Sequence, residues 1–216
     1  MTITNENDEA YANAAFINNS EEIVSEWTKK AEYFRVNKLE SGTAELDIPY
    51  GDSNRQKFDI FQPNTKPLGT VIFIHGGYWI DLDKSYWSHF ASGVLANGYR
   101  CVIPSYDLCP TVKISDITGQ IKNLMCYVLE KYDGMISLVG HSAGGHLVSR
   151  MISIDQWNIS KLRSDLLKRL HHVVAISPIA DLRPLLKTSM NNKFHLNQQT
   201  AEKESPVFHT KMDIPF

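Results

Sequence analysis

Short continuous runs of apolar residues alternate along this chain with stretches in which apolar residues recur every three or four positions. The continuous runs are typical of buried strands, and the wider spacing is typical of amphipathic helices. Alternation of the two predicts a mostly parallel sheet with helices on both faces, an α/β fold. The predicted strands are 69–75, 99–104, 135–139 and 172–177, and the predicted helices are 84–96, 116–131 and one that starts near Gly145.

The N-terminal part of the chain has a different pattern. Residues 1–19 are polar and predict an irregular arm, whereas Ser20 and the acidic residues after it predict an N-cap and a helix that runs to about residue 38. Alternating segments at 44–49 and 56–61 predict an antiparallel pair of strands. The expected units are an arm and helix over residues 1–40 and an α/β domain over residues 41–216.

Composition narrows the classes of partner. The 216 residues carry a formal net charge of -2 with an isoelectric point of about 6.4 and no dense basic cluster, which argues against nucleic acid and membrane partners and favours a small-molecule substrate. Residues 1–9 are polar and no segment is long and apolar enough to span a membrane, so we expect a cytoplasmic protein. Cys101, Cys109 and Cys126 lack metal-ligand spacing, and we expect reduced thiols, no metal and no other cofactor.

A G-x-S-x-G pentapeptide, Gly140-His141-Ser142-Ala143-Gly144, lies between a predicted strand and a predicted helix. This context is that of a nucleophile elbow, a strained strand-to-helix turn that exposes a serine hydroxyl above the sheet. An ordinary glycine-rich turn is the alternative, but the flanking strand and helix favour catalysis. The pattern predicts Ser142 as the nucleophile of a serine hydrolase.

A second candidate motif, His75-Gly76-Gly77-Tyr78-Trp79, follows the predicted strand 69–75. A Gly-Gly turn can expose backbone amides to an oxyanion that develops during acyl transfer. We expect the amides of Gly77, Tyr78 and Ala143 to form an oxyanion hole, the alternative being a simple strand-to-loop turn.

The other side chains of this motif are those of His75, Tyr78 and Trp79. We expect His75 to order the loop beside Gly76. Tyr78 and Trp79 fit the wall of a pocket for an aromatic substrate and fit core packing equally well.

Together, four stretches resemble α/β-hydrolases of the arylformamidase (kynurenine formamidase) group, which are relatives of hormone-sensitive-lipase-like esterases. The Trp in HGGxW favours the formamidase branch over the HGGG lipases, and Tyr11-Ala12-Asn13 resembles the N-terminal arm of the family. The resemblance implies an α/β-hydrolase fold, here without its last two strands, and hydrolysis of N-formylkynurenine to kynurenine and formate in tryptophan catabolism. The four stretches are residues 75–79, 106–110, 140–147 and 177–182.

The resemblance also implies a catalytic acid and a histidine after the seventh and eighth strands, at positions beyond Phe216. On this basis the sequence as given is expected to encode a truncated hydrolase. Asp181, His195 and His209 follow Ser142 in the acid-then-base order and are the candidates for a substitute acid and base. A helix cap for Asp181 and surface positions for the two histidines are the alternatives that the local sequence favours.

Three functions therefore remain open on sequence alone. They are an arylformamidase, a carboxylesterase that acts on short acyl esters, and a remnant that binds a ligand or partner without turnover. If the strand 172–177 is the edge of the sheet, its unpaired backbone groups also predict self-association.

Overall fold

The computed structural model of the chain describes residues 5–157 and 167–216. Within these residues six strands form one sheet: β1 (Ala44–Pro49), β2 (Lys57–Phe61), β3 (Gly69–Ile74), β4 (Arg100–Pro104), β5 (Met135–His141) and β6 (Leu170–Ile176). Their order across the sheet is β1-β2-β4-β3-β5-β6. The predicted antiparallel pair β1 and β2 is confirmed, and β4, β3, β5 and β6 run parallel to one another. The expected mostly parallel sheet is therefore present.

The helices occupy both faces of the sheet. They are α1 (Ser20–Glu40), α2 (Ala91–Ala96), α3 (Ile114–Lys131), α4 (Ala143–Met151), α5 (Asn191–Phe194) and α6 (Gln198–Glu204). Ser20 was expected to cap α1, but it is the first helical residue, and Asn19 before it is left-handed with φ 58°. Of the predicted arm, residues 1–4 lie outside the described residues, and the remainder is irregular apart from a short 3₁₀ turn at Asn13–Phe16.

The predicted continuous helix 84–96 is wrong in its first half. Two 3₁₀ turns, Lys84–Tyr86 and Ser88–Phe90, precede α2. The guanidinium of Arg35 on α1 donates to the carbonyl of Ser85 and to the hydroxyl of Ser88. Because a regular α-helix would use the Ser85 carbonyl within the helix, this contact favours the broken path.

Two apolar clusters hold the sheet between its helices. On one face, Ile117, Ile121 and Leu124 of α3 and Leu147 of α4 are completely buried. On the other face, α1 and α2 cover a cluster that includes Phe61, Phe73, Trp87, Cys101 and Ile103. Burial of one large apolar side chain stabilises the folded state by roughly 1.5–3 kcal/mol relative to leaving that side chain exposed. Among the described residues, no helix has the length and apolar character needed to cross a membrane.

The topology brings the two candidate motifs together. β3 and β5 are parallel neighbours, with Ile74 opposite Gly140, so the segments that leave their carboxyl ends start side by side. One segment is the loop 75–79 and the other begins at Ser142. Ligands of open α/β sheets bind at this edge.

Candidate active site

Ser142 lies at the turn between β5 and α4 with φ 55° and ψ −117°. A non-glycine residue with positive φ is strained, and such strain is typical of functional turns. The Ser142 amide donates to the Ile176 carbonyl at 2.9 Å, which fixes the turn against β6. Gly144 makes the turn possible, because a Cβ at this position would lie 2.0 Å from the Ile74 carbonyl oxygen.

The loop 75–79 contains three successive residues with positive φ. They are Gly77 at 106°, Tyr78 at 47° and Trp79 at 57°. The amides of Ile80 and Asp81 both donate to the Gly77 carbonyl, at 2.9 and 3.0 Å, and close the loop into a tight turn. A Cβ on Gly77 would lie 2.3 Å from the Asp81 carbonyl oxygen, so only glycine fits.

The loop and the serine are in direct proximity. A Cβ built on Gly76 would lie 3.1 Å from the Cβ of Ser142. Within the described residues, no protein acceptor engages the amides of Gly77, Tyr78 or Ala143. Three backbone donors are thus available around one serine.

The buried side chain of His75 packs against the backbone of this loop. It is fully buried, its ring stacks on Tyr106 with centroids 4.4 Å apart, and its Nδ1 lies 2.7 Å from the Gly76 carbonyl oxygen. The Tyr106 hydroxyl donates to the His75 carbonyl at 2.9 Å. Burial lowers the pKa of His75 to about 4, so the ring is neutral near pH 7. His75 therefore contacts the loop backbone, and it does not line the cavities whose walls include Ser142.

Trp79 is a core residue, the second of the two roles that the sequence left equally open, and it does not line the pocket. Its side chain is completely buried and packs edge-on against His146 and Phe194, with ring centroids 4.9 and 5.8 Å away. His146 on α4 places its Nε2 2.7 Å from the Glu204 carbonyl oxygen, and burial lowers its pKa to about 3. The pair Trp79–His146 thus packs the loop 75–79 against the helix that follows Ser142.

Two cavities meet at Ser142. The larger, about 560 Å³, lies between the loop and the N-terminal arm with α1, and is here called the arm-side chamber. The smaller, about 380 Å³, reaches residues 177–181 and is here called the polar pocket. Tyr78, which was expected in a pocket wall, lines both cavities, and Gly76 and Gly77 line the chamber.

Of the candidate substitute acids and bases, only Asp181 lies near the serine. It lines the polar pocket together with Ser142. Arg183 holds its carboxylate, with Nη2 2.7 Å from Oδ2, and this hydrogen bond is the main cause that lowers the pKa of Asp181. Oδ1 also accepts from the Arg183 amide at 3.0 Å, but the N-cap of the 3₁₀ turn that begins at Arg183 is Leu182, so Asp181 is not the cap that the local sequence favours.

The other two candidates lie elsewhere. His195 is exposed at the end of α5 and lines a separate cavity with Glu204 and Lys113. His209 places Nδ1 3.1 Å from Asp155 Oδ1 and Nε2 2.8 Å from the Lys203 carbonyl oxygen. Neither histidine lines a cavity beside Ser142.

The structure also adds residues that the sequence did not assign to the site. His141 lines both cavities, and its half-buried position lowers the pKa of its ring. Val24 and Trp27 of α1 line the chamber, although nothing in their helical spacing distinguishes them from core residues. Across residues 5–157 and 167–216, no group of three or more His, Cys, Asp or Glu side chains is arranged to hold a metal.

The sequence of this chain is similar to those of known proteins. A family model described as BD-FAE matches residues 58–214. Kynurenine formamidase of Salmo salar is 30% identical over 165 residues, which is 74% of this chain and 54% of that protein. Kynurenine formamidase of Danio rerio is 28% identical over 183 residues, which is 79% of this chain and 61% of that protein. The chain therefore spans between half and two thirds of the length of these relatives.

Solved structures give the same fold. A crystal structure from Silicibacter sp. TM1040, which carries a provisional thioesterase name, is 45% identical, with a TM-score of 0.89 over 95% of this chain and 76% of that one. Esterase B of Lactobacillus rhamnosis shares the fold at 22% identity, with a TM-score of 0.65 over 80% of this chain and 63% of that one. The chain belongs to the BD-FAE family and has the α/β-hydrolase fold of the arylformamidase and esterase group.

Proposed function

We propose that this protein is a serine hydrolase in which Ser142 is the nucleophile and the amides of Gly77, Tyr78 and Ala143 form the oxyanion hole. The observation that carries the proposal is the strained Ser142 turn, which faces a loop whose amides have no protein acceptor within the described residues. Fixed donors of this kind stabilise negative charge as it develops on a carbonyl oxygen.

The proposed reaction is hydrolysis of N-formylkynurenine to kynurenine and formate. The Ser142 oxygen would attack the formyl carbon, and the three amides would bind the resulting oxyanion. Collapse breaks the C–N bond, the proton given up by the Ser142 hydroxyl passes to the departing aryl nitrogen, and water then hydrolyses the formyl-enzyme to formate and restores the serine hydroxyl. The naming of two relatives as kynurenine formamidases supports this choice of substrate.

A carboxylesterase is the second candidate. The same serine and amides serve both reactions, because both pass through a tetrahedral oxyanion. The specific observation in its favour is the arm-side chamber, in which none of the described lining residues is Asp, Glu, Lys or Arg. Such a chamber suits an uncharged ester better than the charged amino-acid end of N-formylkynurenine.

Turnover of the two substrates separates these candidates. Release of formate from N-formylkynurenine and of nitrophenolate from 4-nitrophenyl acetate are measured for the wild type, Ser142→Ala and the control Ser92→Ala, an exposed serine on α2. The formamidase proposal expects a larger kcat/KM for N-formylkynurenine, with loss of activity in Ser142→Ala only. Ester turnover without formamidase turnover would favour the esterase, and turnover that survives Ser142→Ala would contradict both.

A further inference from the structure

The arm-side chamber and the polar pocket share several lining residues, which separate the two cavities. Tyr78 from the loop and Tyr11 and Asn13 from the N-terminal arm line both cavities, as do His141 and Ser142. A substrate bound at the serine therefore meets a wall between two spaces.

The two spaces differ in chemistry. The arm-side chamber is walled by apolar side chains that include Ile23, Val24 and Trp27 of α1 and Trp87. The polar pocket is smaller and holds the Asp181 carboxylate, kept ionised by Arg183. An uncharged apolar group gains free energy by entering the first space, whereas a charged group would lose its hydration there without a charged partner.

The size of the chamber sets the scale of the group that it accepts. Its volume of about 560 Å³ is several times that of a cavity of about 150 Å³ that binds benzene. The chamber has room for an aromatic ring with an attached alkyl chain.

The hydroxyl of Tyr78 links the loop 75–79 to the N-terminal arm by hydrogen bonds. It donates to the Tyr11 carbonyl at 3.1 Å and accepts from Asn13 Nδ2 at 3.3 Å. The arm is anchored again at its other end, where the Asn7 side chain donates to the Pro184 carbonyl at 2.8 Å. The Tyr78 hydroxyl is thus the link between the candidate oxyanion loop and the chamber wall.

We propose that Tyr78 and the N-terminal arm form a partition that directs the large uncharged aryl or alkyl group of the substrate into the arm-side chamber, which makes Tyr78 a specificity-determining residue. This inference rests on the proposed function for the position of the scissile bond. The substrate class that follows is an ester or amide with one uncharged apolar group of about the size of phenylbutyl, which agrees with the carboxylesterase candidate rather than with N-formylkynurenine, whose aryl group carries a charged amino acid.

Binding of ligands that lack a scissile bond tests the chamber without turnover. The probes are 4-phenylbutan-1-ol and its charged counterparts 4-phenylbutylammonium and 4-phenylbutyrate. Binding is measured through the change in tryptophan fluorescence, because Trp27 and Trp87 lie in the chamber wall. The alcohol is expected to bind at least about tenfold more tightly than either ion. Equal or tighter binding of an ion would overturn the proposal.

Filling the chamber gives the second test. Val24→Phe narrows the chamber from α1 and is expected to weaken binding of the alcohol about tenfold or more. The matched control is Val36→Phe, an exposed position on the same helix that is expected to leave the affinity unchanged. Equal affinities for the two variants would contradict the assigned chamber.

Removal of the link tests Tyr78 itself. Tyr78→Phe should loosen the arm and reduce the preference for the alcohol over the two ions, and Asn13→Ala should act in the same direction. Tyr33→Phe, at a tyrosine of α1 that is 74% exposed, is the control. A purely structural role would lower the melting temperature but keep the preference, and that result would overturn the partition.

The two proposals fail in different ways. If Ser142 is not phosphonylated by a fluorophosphonate but the alcohol still binds in the chamber, the hydrolase proposal fails and the chamber's preference stands. If Ser142 is phosphonylated but neutral and charged probes bind equally, the partition fails and the hydrolase proposal stands.

Discussion

At the scale of single residues, the candidate site depends on positions where the backbone itself must come close to another backbone. Gly144 lies against the Ile74 carbonyl, and Gly77 lies against the Asp81 carbonyl. The G-x-S-x-G and HGGYW patterns predicted both turns, because glycine is the residue that permits them. The positive φ of Tyr78 and Trp79 was not predictable, since neither side chain favours it.

Gly144→Ala is expected to destabilise the protein by more than about 2 kcal/mol, because the added methyl group cannot avoid the Ile74 carbonyl. Urea unfolding measures the change. The matched control is Gly119→Ala inside α3, where a Cβ meets open space and alanine is expected to stabilise by about 0.5–1 kcal/mol. A tolerated alanine at position 144 would contradict the tight turn.

Two buried histidines predict the dependence of stability on pH. Burial lowers the pKa of His75 to about 4 and that of His146 to about 3, below the ordinary value near 6.5. The unfolded chain therefore binds more protons than the folded chain as pH falls below about 6.5. Stability from these groups is complete above that pH and decreases as pH falls.

The free energy of unfolding should fall by up to about 1.4 kcal/mol per pH unit for each histidine between about pH 6.5 and pH 5.5. Urea unfolding at several pH values measures the slope. His146→Gln should reduce the slope, while His195→Gln, at an exposed histidine, should not. The same slope in both variants would contradict a neutral buried His146.

At the scale of elements, the sequence predicted the strands better than the helices. The strands are marked by continuous apolar runs, so their ends agree with the structure within a few residues. The helix predicted at 84–96 breaks because Arg35, distant in sequence, binds the Ser85 carbonyl. Trp79 was ambiguous for a similar reason, because Phe194 and His146, which bury it, come from α5 and α4.

A buried ion pair links α6 to α4. Glu204, 5% exposed, accepts from Thr118 at 2.9 Å and lies 3.7 Å from Nε of the fully buried Arg150. Burial is the main cause that raises the pKa of Glu204. Removal of the Glu204 carboxylate takes the carboxylate away from Nε of this buried guanidinium, whose Nη2 stays paired with Asp155 Oδ2 at 3.1 Å, and the loss at Nε is a costly change.

Glu204→Ala is expected to reduce the free energy of unfolding by about 3 kcal/mol or more. Glu202→Ala, an exposed position on the same helix, should change it by less than about 0.5 kcal/mol. Chemical denaturation of both variants provides the comparison, and equal effects would show that the ion pair does not stabilise this region.

At the scale of the whole molecule, the chain joins three sequence-distant regions at one serine: the N-terminal arm, the loop after β3 and the turn after β5. The motifs predicted the last two, because each precedes or follows a recognisable strand. The arm's contribution to the chamber was not predictable, because its contacts with Tyr78 span more than sixty residues of sequence. The two histidines that follow Asp181, His195 and His209, line neither of the two cavities.

The edge of the sheet predicts association between molecules. Among the described residues, β6 pairs with a strand on one side only, and Val174 and Ile176 on it are about half exposed. We expect light scattering after gel filtration to show association that increases with concentration. Val174→Lys should weaken it, and Val36→Lys, at a valine of similar exposure on α1, should not. A monomer at every concentration would contradict this prediction.

The most direct measurement is covalent labelling of the chain with a fluorophosphonate, followed by mass spectrometry of the labelled peptide. We expect one adduct per chain, located on Ser142, and no adduct in Ser142→Ala, because the turn exposes this hydroxyl beside amides that can bind the phosphonyl oxygen. Absence of an adduct on Ser142, or an equal adduct on another residue, would contradict the assignment of Ser142 as the nucleophile.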